Sequence, residues 1–322
     1  LKFNGALTES SLDYNEIGDK GATAIAEALK VNGLLQAAGS LAAGALTELS
    51  LGGNNIGDDG KRAIAKAISS SKLQSFKSDT LYLRADATSL DLQDEGLGAA
   101  DAELIAAAMA SFMGALTECN VRDNKFNSKS ASALAKVATE KRVMISGIKH
   151  GQTSASFVHQ NLTVVDAILI ASDLRVSGAL TKLNLNNNQI GDQGAMAIGE
   201  ALKVNGALTT LSLFDNQIGD QGATAIGEAL KFNGVLTSLW LAENKIGDQG
   251  ASAIGEALKV NDVLSELWLA GFLSTVKIGD RGAIVIAEAL ETNQTLTILD
   301  LSGNHIGDDG AIAIGEALKC NG

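Results

Sequence analysis

The sequence predicts an α/β solenoid: one domain over residues 1–322 in which strand–turn–helix repeats stack into a curve, parallel strands on the concave face and helices on the convex face. Three observations predict it. The stretches GALTKLNLNNNQIGDQGAMAIGEALKVN, GALTTLSLFDNQIGDQGATAIGEALKFN and GVLTSLWLAENKIGDQGASAIGEALKVN follow one another as near copies with a period of 28 residues. Each joins two hydrophobic periods, one of alternation and one of helical spacing. Neither half can bury its apolar side alone, so neighbouring repeats must cover each other.

The strand comes first. In LTKLNLNNNQI, Leu180, Leu183 and Leu185 alternate before a bend at Ile190, which suits a very short strand with one buried face. The helix follows in GDQGAMAIGEALKVNG, where Ala195, Ile198, Ala201 and Leu202 fall on one side. Asp192 is placed to cap its N-terminus and Asn205-Gly206 to end it. Strands about 4.8 Å apart facing helices about 8 to 10 Å apart bend the stack with the strands inside. Small helix residues such as Ala195, Ala197, Gly199 and Ala201 should allow close helix approach and a shallow curve.

One polar position recurs after the strand, at Asn15, Asn54, Asn124, Asn188, Asn216, Asn244 and Asn304. An Asn side chain both donates and accepts, so it can satisfy the unpaired backbone groups of the strand–helix turn, forming a ladder. The repeated G-D-x-G is read as helix capping by Asp58, Asp192, Asp220, Asp248, Asp280 and Asp308, because calcium-binding turns would recur every nine or so residues.

The pattern L-x-x-L-x-L-x-x-N-x-I-G-D-x-G-A-x-A-I-x-E-A-L resembles the ribonuclease-inhibitor-like class of leucine-rich repeats, also seen in the sensor arrays of NOD-like receptors and in the Ran GTPase-activating protein. The resemblance covers most of the chain. It implies a curved solenoid and partners that are proteins, bound through the concave strand face and its adjoining loops.

The phase markers Leu7, Leu46, Leu116, Leu180, Leu208, Leu236, Leu264 and Leu296 locate the interruptions. Eleven residues beyond one repeat separate Leu7 from Leu46, best placed in LLQAAGSLAAG as a longer helix or a loop. Four extra residues lie at AGFLSTVKIGD and delete the ladder Asn. The regions 70–115 and 141–179 are diverged or irregular repeats, a duplicated pair in which Asp101 aligns with Asp166 and Gly114 with Gly178, preceded by strand candidates LQSFKSD and VMISGIKH. Counting them gives about eleven or twelve strands. LKFNGALT at the start and LKCNG at the end share one phase and lack caps, so the sequence reads as part of a longer array.

Composition narrows the function. The chain is 46% hydrophobic without the run of ~20 apolar residues a membrane span needs, so no transmembrane segment is predicted. No signal peptide is read, and the localisation expected is intracellular and cytoplasmic, with an organelle left open because the N-terminus looks truncated. The balance of 25 basic and 37 acidic residues, net -12, with lysines scattered at EALK, argues against nucleic acid and favours a basic or neutral partner. Cys119 replaces a core leucine and Cys320 sits near the other end of the array at a helix end, so a disulfide between them is geometrically implausible; both read as structural, compatible with a reducing compartment. The sequons at Asn161 and Asn293 read as chance matches. His150, His159 and His305 form no triad or metal-spaced set, so no enzyme, cofactor or metal is expected.

Alternation directs Lys182, Asn184, Asn186, Thr210, Ser212, Phe214, Ser238, Trp240, Ala242, Glu266, Trp268, Ala270, Ile298, Asp300 and Ser302 to the concave face. Both tryptophans of the chain are in that row, one strand apart. Exposed aromatics dominate interfaces, so the candidate protein-binding site is Trp240 and Trp268 with Phe214 and Phe272, rimmed by Asp215, Glu243, Glu266 and Asp300, for a segment of apolar and basic character. The competing reading has the rings stacked together under the insertion at 271–276. The function expected is a non-catalytic protein-binding scaffold. A structural subunit of a large multiprotein assembly is the alternative. A GTPase-regulator-like protein ranks last, since no acidic tail and no singular arginine is present.

Overall fold

A computed structural model describes residues 6–37 and 46–320. The chain divides into two compact units, Leu1–Gly147 and Ile148–Gly322. The boundary falls within the stretch 141–179 that the repeat pattern marks as irregular.

In unit 2 the elements run β7 Ser154–Ser156, α5 Val164–Val176, β8 Lys182–Asn184, α6 Gly191–Leu202, β9 Thr210–Ser212, α7 Asp220–Leu230, β10 Ser238–Trp240, α8 Asp248–Leu258, β11 Glu266–Trp268, α9 Asp280–Leu290, β12 Ile298–Asp300 and α10 Asp308–Cys320, numbering continued from unit 1 below. The six strands form one parallel sheet in sequence order, with Leu183, Leu211, Leu239, Leu267 and Leu299 in register. Leu183, Leu211, Leu239 and Leu267 face helix residues such as Ile198, Ala201 and Leu202 in a core closed to solvent, and Leu299 is partly buried. Each strand is three residues long, so the ladder alone is thin. Side chains reinforce it.

The asparagine ladder is present. Asn244 Nδ2 donates to the carbonyls of Leu213, Leu241 and Ala242 at 2.8, 2.9 and 3.3 Å, while its Oδ1 accepts from the N–H of Asn216 and Ile218 at 3.0 and 2.9 Å. Asn188 repeats this pattern. Asn216 departs from it: its Oδ1 is buried without a donor, because α6 starts early at Gly191, φ +60°, whose N–H takes the Asn216 main-chain carbonyl instead. A second ladder lies at the helix ends. Asn205, Asn233, Asn261 and Asn293 are buried, and their amides donate back to Leu174, Leu202, Leu230 and Leu258, the carbonyls ending the preceding helices. Sequence reasoning saw Asn205 only as a helix stop. The same bonding removes Asn293 from the surface, so its sequon is inaccessible in the fold.

The aspartates act differently from expectation. Asp220 is the first residue of α7, and the cap position is Gly219, which has no side chain to offer. Asp220 Oδ1 instead accepts from Gly247 and Gly250 at the start of α8, both at 2.8 Å. Asp192 reaches Gly219 and Gly222, Asp248 reaches Gly279 and Gly282, and Asp280 reaches Gly307 and Gly310. Each carboxylate therefore caps the next helix, in the field of that helix's positive end. The glycines are required by proximity: a Cβ at Gly250 would stand 2.8 Å from the carboxylate oxygen. Asp220→Ala should lower the stability of unit 2 by about 2 kcal/mol and Asp220→Asn by roughly half as much, measured by urea unfolding.

The small helix residues do permit close approach. A Cβ on Gly199, Gly227 or Gly255 would come within 3.0 Å of the backbone of the next helix.

Unit 1 holds β1 Glu9–Ser11, α1 Asp19–Ala37, β2 Glu48–Ser50, α2 Asp58–Ile68, β3 Ser75–Lys77, β4 Tyr82–Arg84, β5 Ser89–Asp91, α3 Ala99–Ser111, β6 Glu118–Asn120 and α4 Ser128–Lys141. Helix α1 continues to Ala37, into LLQAAGSLAAG; the rest of that insertion, residues 38–44, lies outside the described residues. Here the parallel order breaks. The Ser78 N–H donates to the Leu81 carbonyl, the chain turns, and β4 runs antiparallel to β3 where a repeat would have placed a helix. The segment 78–88 has no helical spacing of apolar residues, which is the reason. VMISGIKH contributes a single bridge, Glu118 to Met144, and the strand of the following repeat forms later, at β7. The aligned aspartates do share a role: Asp101 and Asp166 each accept from the backbone N–H of the residue before their helix, at 2.9 Å. Cys119 is buried on β6 and Cys320 is exposed, and neither is in a disulfide among the described residues.

Candidate functional site

The strand face of unit 2 is a grid of three rows. One row carries Lys182, Thr210, Ser238, Glu266 and Ile298; the next Asn184, Ser212, Trp240, Trp268 and Asp300, as the strand registers dictate. Phe214, Ala242, Ala270 and Ser302 follow two residues further along their strands.

The structure brings Trp240 and Trp268 together. They are register partners, with ring centroids 4.8 Å apart and planes inclined by 25°. An offset stack of this kind contributes about 0.5–1.5 kcal/mol beyond burial. Trp240 keeps 37% of its surface exposed, and Ile298 on β12 keeps 40%. The Trp240 indole N–H donates to Ser238 Oγ at 2.9 Å, and Ser238 Oγ donates to Glu266 at 2.8 Å. This relay fixes the first ring. The indole nitrogen of Trp268 is buried without any acceptor.

The rim is more divided. Phe214 is half-buried beside Ala242 on the next strand, and Asp215, at φ +48°, accepts from the Asn187 side chain at 3.1 Å. Asp300 accepts from the hydroxyl and N–H of Ser302. Glu243 is engaged elsewhere: its two carboxylate oxygens accept from the backbone N–H of Phe272 and Leu273 at 2.9 and 2.6 Å, which pins the inserted loop. Phe272 stands at the ladder position where an Asn would sit, remains 66% exposed, and its ring lies against Gly303 in the turn after β12. Lys277 ties the loop further, donating to the carbonyls of Phe272 and Gly303.

Unit 1 has a second polar surface that the sequence reading did not single out. Glu9, Ser11, Glu48, Ser50, Ser75, Lys77 and Tyr82 line a groove of about 380 Å³ on its strands. Glu9 and Glu48 face each other across β1 and β2, and Arg84 lies over the Tyr82 ring. Asp13 at its end is held below the usual carboxylate range, first by the Ser50 hydroxyl at 2.6 Å and also by the Gly52 N–H and Lys77. The signal available was Glu9 and Glu48 at one repeat phase; Tyr82 arrives through the hairpin, which no repeat copy announces.

Among the described residues no group of three or more His, Cys, Asp or Glu side chains could hold a metal ion, and no helix is long and apolar enough to cross a membrane. The lysines of EALK are paired along their own helices, as Lys203 with Glu200, Lys231 with Glu228 and Lys259 with Glu256.

A family model described as Leucine Rich repeat matches residues 7–26, 46–65, 180–199, 207–227, 233–255 and 292–315. The stretch between the second and third matches contains the β3–β4 hairpin. No curated protein matches the chain. Among solved structures, the leiomodin-1 actin-binding site 2 is similar at TM-score 0.39 and 25% identity, over 49% of this chain and 88% of that one. The tropomodulin C-terminal domain from Caenorhabditis elegans is similar at TM-score 0.41 and 19% identity, over 48% of this chain and 93% of that one. Six matched segments, resting on strand–turn–helix modules that two asparagine ladders bind side to side, make this chain a leucine-rich-repeat protein.

Proposed function

We propose that the protein is a non-catalytic protein-binding module and that the strand face of unit 2 docks a partner segment combining apolar and basic side chains. The observation that carries this reading is the stacked pair Trp240–Trp268 on the strand face, with the Trp240 ring 37% exposed. Ile298 extends the apolar surface, while Glu266, Asp300 and Asp215 supply negative charge suited to Lys or Arg. Glu243 and Phe272 serve this site indirectly, by shaping the loop beside it. The 28-residue period supports placement in the ribonuclease-inhibitor-like class, whose members bind proteins through this face.

Because these are the only two tryptophans, indole emission reads the site directly. Peptides selected on the protein from an unbiased displayed library should be enriched in apolar and basic residues and should shift that emission. Trp240→Ser with Trp268→Ser should weaken their binding by about 100-fold or more, while circular dichroism shows the repeats still folded. Peptides that bind parent and double variant equally would refute the assignment.

A further inference from the structure

The strand face of unit 2 changes sign across its width. At β8 the exposed Lys182 has Ser154, Thr210 and Asn184 as its neighbours in the grid, none of them charged, and its ammonium makes no hydrogen bond or ion pair among the described residues. Strands β9 and β10 add only neutral side chains, Thr210 and Ser212, then Ser238 and Trp240. At β11 and β12 the charge turns negative. Glu266 accepts from the Ser238 hydroxyl and Asp300 from Ser302, and neither carboxylate meets a cation among the described residues.

The two ends are too far apart to satisfy each other. Neighbouring strands lie about 4.8 Å from one another, which puts β11 about 14 Å and β12 about 19 Å from β8. Charges separated by more than the Debye length, about 10 Å at 0.1 M salt, are largely screened, so Lys182 and the two carboxylates are each left for a counter-charge of their own.

These distances set a spacing for any extended chain that crosses the strands. Such a chain advances about 3.4 Å per residue and turns alternate side chains to the sheet. From β8 to β11 is therefore about four residues, and from β8 to β12 about six. Both are even, so a side chain at either place returns to the face that met Lys182. The residue two places along lies between β9 and β10, against the exposed ring of Trp240.

Resting on the assignment of the Trp240–Trp268 face as the docking site, we infer that its partner is an extended segment of mixed charge laid across the strands. An acidic side chain meets Lys182, an apolar one two residues along meets Trp240, and a basic one four or six residues along meets Glu266 or Asp300. Lys182 is thereby a specificity-determining residue. The net charge of -12 draws basic segments without distinction, and Lys182 turns away those that carry a basic residue at the β8 end.

The probes are nine-residue peptides selected on the parent protein from an unbiased displayed library, resynthesised with a fluorescent label and titrated by anisotropy. The selected sequences should carry an acidic residue four or six places from a basic one, with an apolar residue between. Lys182→Glu should weaken their binding about 10-fold, and the loss should shrink as salt is raised. Replacing the peptide's acidic residue with lysine should weaken binding to the parent by a similar factor and restore binding to the Lys182→Glu protein. Because Lys182 is exposed and its side chain bonds to nothing among the described residues, the variant should keep the parent's circular dichroism. Peptides that need both indoles but are indifferent to Lys182→Glu, or whose lysine exchange restores nothing, would overturn the inference and leave the indole site standing. Peptides that bind equally after Trp240→Ser with Trp268→Ser would overturn both.

Discussion

Asn244→Leu is expected to lower the unfolding free energy of unit 2 by about 4 kcal/mol, a large share of what a domain of this size has. The leucine fits the volume but strips two N–H groups, of Asn216 and Ile218, of their acceptor, and withdraws donors from the Leu213, Leu241 and Ala242 carbonyls. All of these lie in the buried turn between strand and helix, where water cannot substitute. Asn15, whose amide bonds among the described residues to Leu12 and Asp13 at the exposed first repeat of unit 1, supplies the control: Asn15→Leu should cost less than about 1 kcal/mol. Urea unfolding followed by tryptophan emission isolates unit 2, because both indoles lie there; circular dichroism follows the whole chain.

The second large effect is a single substitution with opposite consequences at two equivalent glycines. Gly227→Val should destabilise unit 2 by about 3 kcal/mol, since the added carbons meet the backbone of Ala253 and Ile254, which cannot swing aside. At Gly315 the same change meets open space, and valine is a slightly better helix former than glycine, so stability should stay within about 0.5 kcal/mol of the parent. Thermal unfolding of both variants makes the comparison.

These two predictions mark what the sequence disclosed and what it withheld. The strand leucines and helix alanines were legible because alternation and helical spacing are local properties: Leu183, Leu211 and Leu239 stand where the period put them. So was the asparagine ladder, since it recurs at a phase where only an amide can serve both donors and acceptors. Asp220 was misplaced because its acceptor role is completed 27 and 30 residues further on, in the next helix, a distance no local capping rule reaches. Asn205 was overlooked for the same reason, its partner lying one helix back.

The candidate site shows the same division. Period two placed both indoles on one face, and the repeat length made them register partners. That Glu243 serves the inserted loop, and that Ser238 orients Trp240, depended on the loop's path and on side-chain rotamers, which no pattern encodes. The hairpin of β3 and β4 lay beyond reach because it departs from the repeat instead of varying it.

The central functional claim is that the stacked indoles receive the partner. With two tryptophans, the nitrogen–proton spectrum of the protein contains two indole signals, and Trp240→Ser assigns them. Titration with a library-selected peptide should move both, with the Trp240 signal shifting more because that ring is the more exposed of the stacked pair. Saturable binding that leaves both indole signals in place would contradict the account.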